Sequence, residues 1–397
     1  MQSKGKMHYY DGVVETIDIK RTPGAGLLSG LTFAVKDMID IEGRVSGFGN
    51  PDWKATHAPA AANAPVLEKL LDAGARLIAV ACADELACSL DGINVHFGTP
   101  INSQAPDRIP GGSSSGSASL AAAGRVDFAI GTDTAGSVRV PAAYCGIFGL
   151  RPTHDAIPLQ GVLQLGPSFD TVGILSGSID ILARVANVLL ADETTSLPRN
   201  LVLPANFAAP IDDEIAPYLV AHVESIKAHF DSVRSANLYQ KSEQVYELFR
   251  IVRAHEAWSI HGGWFESIHP NMAPEIAKRL EGCKHITEGE YKSALKSRAE
   301  LLKRIDEIVD CDSVICIPTT WALPPLKSAS EAQLLENRNR NLCMTALSSF
   351  YGFPQITIPV PTASVKTGLS LIGARGLDLA LLELAKQVQV ELQLSAQ

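Results

Sequence analysis

The sequence predicts an α/β fold whose strands are buried on both faces. Three observations predict it. Short apolar runs alternate with helix-patterned segments through the first half of the chain. Those runs are continuously apolar, as in strands covered from both sides. The length of 397 residues and the 46% hydrophobic share supply a large core for a soluble globular protein.

The first strand is read at Leu31–Val35. Pro65–Ala73 has helical spacing and stops at Gly74, a residue type that ends helices readily. Arg76–Ala81 and Val126–Ile130 follow as buried strands. From about Ser178 the pattern turns helical, at Ile179–Ala191, Asp212–Phe230, Ser242–Ser259 and Glu288–Val309, each with a charged outer face. Pro198–Pro210 reads as a loop between the first two. Asp312–Ile317 returns to strand and the turn-rich Pro318–Pro325 follows. Asn341–Tyr351 is helical, Gln355–Val360 and Leu369–Ile372 are strands, and Leu377–Leu392 is a closing helix. The simplest organisation is one domain over 1–397. Its core lies at about 25–177 and 311–397, under a mostly helical cover at about 178–310.

A formal charge of -9 with scattered Lys and Arg offers nothing to a nucleic acid, which selects a basic patch. Seven cysteines (82, 88, 145, 283, 311, 316, 343) form no paired metal-knuckle spacing. Cys311 and Cys316 read as core packing within one strand. Free thiols suit a reducing compartment. Met1–Glu15 has no apolar centre, so it does not read as a signal peptide. No run approaches the roughly 18 apolar residues of a membrane span. A cytoplasmic protein is expected, with no membrane partner.

The chemistry concentrates in two serine-bearing glycine loops. The first is Gly111-Gly112-Ser113-Ser114-Ser115-Gly116-Ser117 and the second Gly131-Thr132-Asp133-Thr134-Ala135-Gly136-Ser137-Val138-Arg139. Glycine permits close backbone approach to a ligand, and a serine so held can be a nucleophile, a relay or a donor. Lys36 ends the apolar run Leu31–Val35, where desolvation would make it a neutral base. Singly, each element is ambiguous. The first loop could be a plain turn, an anion-binding helix start without the P-loop ending, or a Gly-x-Ser-x-Gly elbow lacking its strand. Lys36 could snorkel or pair with Asp37. Asp133 and Arg139 read as a structural ion pair. His255, Glu256 and His261 miss the His-Glu-x-x-His spacing, so no metal site is expected.

Together, the loops resemble the amidase signature family. The resemblance runs through Phe33-Ala34-Val35-Lys36-Asp37, Asp84-Glu85, and the long motif from Gly131 through Arg151-Pro152-Thr153. It returns in Cys316-Ile317-Pro318-Thr319 and Gly352–Pro359, and so covers most of the chain. It implies an amidase-signature fold, a mixed and largely buried central sheet covered by helices. Carried over by residue, Lys36 corresponds to the base, Ser113 to a bridging serine held by a cis peptide bond, and Ser137 to the nucleophile. The backbone N–H groups of Thr134, Ala135, Gly136 and Ser137 correspond to the oxyanion hole. Ala135 departs from the usual glycine and would be strained if its φ had to be positive. The residue chemistry agrees, because a serine hydroxyl needs a base, and Ser113 can accept from one partner while donating to the other.

The resemblance implies hydrolysis of a small amide through an acyl-enzyme, without metal or organic cofactor, and a homodimer is left open. Two rivals share the signature: the glutamine-hydrolysing subunit of a tRNA-dependent amidotransferase, and import-receptor homologues that have lost the nucleophile. All three catalytic positions are filled here, which favours the enzyme. Motifs such as Gly47–Trp53, Arg253–Trp258 and Ser370–Arg375 most resemble short plant-type amidases that hydrolyse indole-3-acetamide. The expected substrate is therefore a primary amide of a small aryl or alkyl acid. Phe48, Trp53, Tyr144, Trp258, Trp264 and Trp321 are available for a ring-binding wall.

Overall fold

The computed structural model describes residues 11–21, 26–190, 196–238, 242–303 and 309–394. Eleven strands form one sheet. They are β1 (Val13–Ile19), β2 (Thr32–Lys36), β3 (Arg76–Ala81), β4 (Phe128–Asp133), β5 (Phe148–Arg151) and β6 (Thr171–Ser176). The second half supplies β7 (Asn200–Pro204), β8 (Ser232–Ala236), β9 (Ser313–Pro318), β10 (Gln355–Val360) and β11 (Thr367–Gly373). Their order is β1-β3-β2-β4-β6-β5-β10-β11-β9-β7-β8. The sheet is mixed: β2 runs parallel to β3 and β4, β7 parallel to β8 and β9, and the remaining pairs are antiparallel.

Every residue of β4, β6, β9, β10 and β11 is buried, as continuously apolar strands require. Successive side chains feed opposite faces. On β9, Val314 and Cys316 enter one apolar cluster, while Ile315 and Ile317 enter another. The first cluster is closed by α2 (Pro65–Asp72), α5 (Ile179–Leu189), α6 (Ala216–Ile226) and α11 (Asp378–Leu394), which follow α1 (Pro51–Thr56). The second is closed chiefly by α7 (Ser242–Ile268) and α10 (Glu331–Tyr351). Between these two, α8 (Pro274–Cys283) and α9 (Glu288–Leu302) pack on α7. Two short helices, α3 (Ser115–Ala122) and α4 (Arg139–Tyr144), cover the sheet centre. The expected mixed sheet under helices is what forms.

Several elements differ from expectation for physical reasons. Pro198–Pro210 is not a loop throughout, because Asn200–Pro204 forms β7 between β8 and β9. β1 alternates polar and apolar residues, and β8 is an exposed edge, so neither shows a continuous apolar run. The helix read at Asn341–Tyr351 starts ten residues earlier, at Glu331. Its first turns are polar and exposed, and the start is set by a Ser330/Gln333 capping box. Cys316 is core, but Cys311 precedes β9 in an exposed turn, where Asp312 caps the chain at Arg199 and Asn200. Residues 191 and 304–308, read as helix ends, lie outside the described residues.

Candidate active site

The three parallel strands β3, β2 and β4 end side by side, and ligand sites of α/β sheets gather at such carboxyl ends. Lys36 is the last residue of β2 and is wholly buried. Its Nζ donates to Ser113 Oγ at 2.7 Å and to Thr132 Oγ1, on β4, at 2.8 Å. Ser113 follows a cis Gly112–Ser113 peptide in the loop that opens α3. Gly112 is there because a Cβ would stand 2.2 Å from a carboxylate oxygen of Asp84. The two glycine loops are tied together: the Ser114 N–H donates to the Ser137 carbonyl at 3.2 Å, and Ser114 Oγ donates to the Thr132 carbonyl at 3.1 Å.

Burial dominates the electrostatics. It pulls the Lys36 ammonium down to about 7, against the opposing fields of Asp84, Asp133 and Asp170. It likewise pushes the Asp84 carboxyl up to about 6. Asp133 behaves oppositely. Burial alone would raise it, but Arg139 and Arg151 hold it well below the usual carboxylate range. Its Oδ1 accepts from Arg139 at 2.7 Å and Arg151 at 3.2 Å, with all three residues fully buried. Arg139 also donates to Ser348, Ser349, Gln355 and the Thr345 carbonyl. Asp133 and Arg139 are thus the structural pair expected from sequence, enlarged by Arg151.

Ser137 begins the approach to α4 and lines a narrow cavity of about 20 Å³ with Ala87, Cys88, Leu90, Ala135 and Leu165. Among the described residues, the backbone N–H groups of Thr134, Ala135 and Ser137 have no acceptor. The Gly136 N–H differs, since it donates to Asp133 Oδ1 at 2.8 Å. Ala135 is free of the anticipated strain because its φ is not positive. The adjacent Gly136 holds φ +129°, where a Cβ would also meet Thr345 Oγ1 at 2.9 Å.

The aromatic wall expected from sequence does not line this cavity within the described residues. Phe48, Trp53, Trp258 and Trp264 pack together behind Ala87, Cys88 and Leu165, with Phe48 and Trp264 each edge-on to Trp53. Tyr144 is buried against Asn337, and Trp321 lies against the Arg340 guanidinium. Sequence reading missed Thr132 and the role of Asp84. Thr132 reaches Lys36 only through the β2–β4 pairing. Asp84 acts on Lys36 through its field because it follows β3 by three residues, and β3 ends with Ala81 beside Lys36 in register. Arg253 and Arg338, also unforeseen as site residues, complete the cavity wall.

The Amidase family model matches residues 14–230. The chain is 37% identical to Amidase 1 of Arabidopsis thaliana, over 90% of this chain and 92% of that protein. It is 33% identical to Translocon at the outer membrane of chloroplasts 64 of Pisum sativum, over 92% of this chain but 67% of that protein. Among solved structures it resembles one described as the crystal structure of amidase. The TM-score is 0.84 and the identity 27%, over 92% of this chain and 86% of the other.

Proposed function

The chain belongs to the amidase family and is a hydrolase acting on amide bonds, and from that premise we propose that Ser137, Ser113 and Lys36 cleave a small primary amide through an acyl-enzyme. The observation that carries this reading is the fully buried Lys36 amine, 2.7 Å from Ser113 Oγ and without a carboxylate in ion-pair contact among the described residues. An amine with a pKa of about 7 is half deprotonated at neutral pH, where it serves as a base.

Ser137 Oγ attacks the amide carbonyl as its proton passes to Ser113, whose own proton moves to Lys36. The oxyanion lies among the backbone N–H groups of Thr134, Ala135, Gly136 and Ser137. Asp133 already engages that of Gly136, so the other three carry most of the stabilisation. The C–N bond then breaks, and ammonia leaves with the proton returned from Lys36 through Ser113. Water, deprotonated along the same route, attacks the ester, frees the carboxylic acid and restores Ser137. The side chains beside Ser137, Ala87, Leu90 and Leu165, are apolar, which supports an aryl or alkyl acyl group over a peptide. We also read the chain as one domain on its continuous sheet, and as cytoplasmic on its seven free cysteines. No helix among the described residues is long and apolar enough to cross a membrane.

An ammonia-release screen over aryl, alkyl and peptide amides tests this. The wild type is expected to turn over small primary amides and Ser137→Ala to turn over none. Undiminished release by Ser137→Ala contradicts it.

A further inference from the structure

The cavity at Ser137 shares Cys88, Arg253, Arg338 and Leu342 with a wider chamber of about 220 Å³. The walls of that chamber carry Arg250, Arg253, Lys278, Arg279 and Arg338, on α7, α8 and α10. Such a concentration of cations runs against the charge of the chain, which is -9 overall. Little of it is compensated. Glu247 engages Arg250 through two hydrogen bonds of 2.6 and 2.7 Å. The Arg279 Nη1 donates to the Cys88 carbonyl at 3.2 Å. Among the described residues, no carboxylate stands within ion-pair distance of Arg253, Arg279 or Arg338. Asp91 is the buried acid whose field reaches Arg279 and Arg338, and its carboxylate accepts instead from the Ser89 hydroxyl.

Arg338 is the least satisfied of the group. Its Nε is enclosed and has no hydrogen-bond partner. Burial, then the like charges of Arg279 and Arg253, press its pKa down to about 10, so it remains a cation at neutral pH. Guanidinium groups gathered without counter-charge cost free energy unless an anion joins them. The two that flank the passage to Ser137 are planar donors suited to a carboxylate.

We infer that the amide hydrolysed here carries a carboxylate, which lies between Arg253 and Arg338 while its amide carbonyl reaches Ser137. The inference rests on Ser137 being the nucleophile. It narrows the substrate class to short amides with a second, anionic end, the apolar neck of Ala87, Leu90 and Leu165 enclosing the carbon chain between. A neutral amide leaves both guanidiniums uncompensated and loses the charge-assisted bonds.

Two measurements test it. The first compares kcat/KM for ammonia release from succinamate and glutaramate with that from their methyl esters, which keep length but lose charge. The carboxylates are expected to lead by at least about tenfold. The ratio should fall toward unity in Arg253→Gln/Arg338→Gln, or in either single variant if the double variant melts early. Equal or faster turnover of the esters overturns the inference and leaves Ser137 as nucleophile untouched. The second titrates the same four compounds calorimetrically into Ser137→Ala, which needs no catalysis. If wild-type protein releases ammonia from none of the four, the catalytic reading fails for this substrate class. The titration then decides the site on its own: at least about tenfold tighter binding of the carboxylates supports it. Equal binding, or none, overturns it.

Discussion

Lys36 and Arg139 are both fully buried cations near the end of the same sheet, yet their surroundings are opposite. Arg139 meets a carboxylate at 2.7 Å and further acceptors on α10 and β10. Lys36 meets two hydroxyls, while Asp84 and Asp133 act on it only through their fields. The first arrangement pairs its charge and locks four elements together. The second leaves the cation so poorly paired that its amine can release the proton at neutral pH. Compensation therefore separates a structural buried charge from a chemical one.

Removing each partner should break the molecule in different ways. Lys36→Ala is expected to lower kcat/KM by about a thousandfold or more at pH 7, with residual activity rising at high pH, while the fold survives. Steady-state ammonia release and a melting curve check both halves. Asp133→Asn should do the reverse first, destabilising the protein by about 3–5 kcal/mol because two buried guanidiniums lose their counter-charge. Urea unfolding measures it, and a cost below about 1 kcal/mol would erase the contrast.

Stability against pH sharpens the comparison further. The folded pKa of Lys36 lies below its unfolded value of 10.5, so the unfolded chain binds more protons between about 7 and 10.5. The resulting penalty is complete below about pH 7 and is relieved as pH rises through that window. Lys36→Met should therefore be more stable than wild type at pH 6, by about 1–3 kcal/mol, and nearly equal at pH 10. Unfolding curves at pH 6, 8 and 10 give the trend. A gap that widens with pH would contradict it. The smallest effect is expected at Gly136→Ala, which sets a Cβ against Thr345 in a left-handed region and distorts the neighbouring amides. Activity should fall about 10–100-fold, read as kcat rather than KM.

The site was legible where the chain carries its chemistry locally. Lys36 stands at the end of an apolar strand, and Ser113 and Ser137 sit in glycine loops with little other use for their hydroxyls. Thr132 and Asp84 were not legible, because neither touches Lys36 in sequence and only strand pairing brings them near. The aromatic residues misled for a related reason. A tryptophan satisfies a core as readily as a pocket, and Trp53 and Trp264 chose each other. Arg253 and Arg338 lie on separate helices, where each reads as an ordinary charged face. In the fold, β7 escaped notice between prolines, whereas β4, β9 and β10 declared themselves by continuous apolar runs.

The claim that an under-paired lysine drives Ser137 is tested most directly by the pH dependence of fluorophosphonate labelling. The Ser137 peptide would be followed by mass spectrometry in wild type and Lys36→Ala. A lysine acts as base only when deprotonated, so the wild-type labelling rate should climb as pH rises through about 7 and then level off. Lys36→Ala should label far more slowly and without that inflection. A rate independent of pH between about 5 and 9, or equal labelling of the two proteins, would contradict the account.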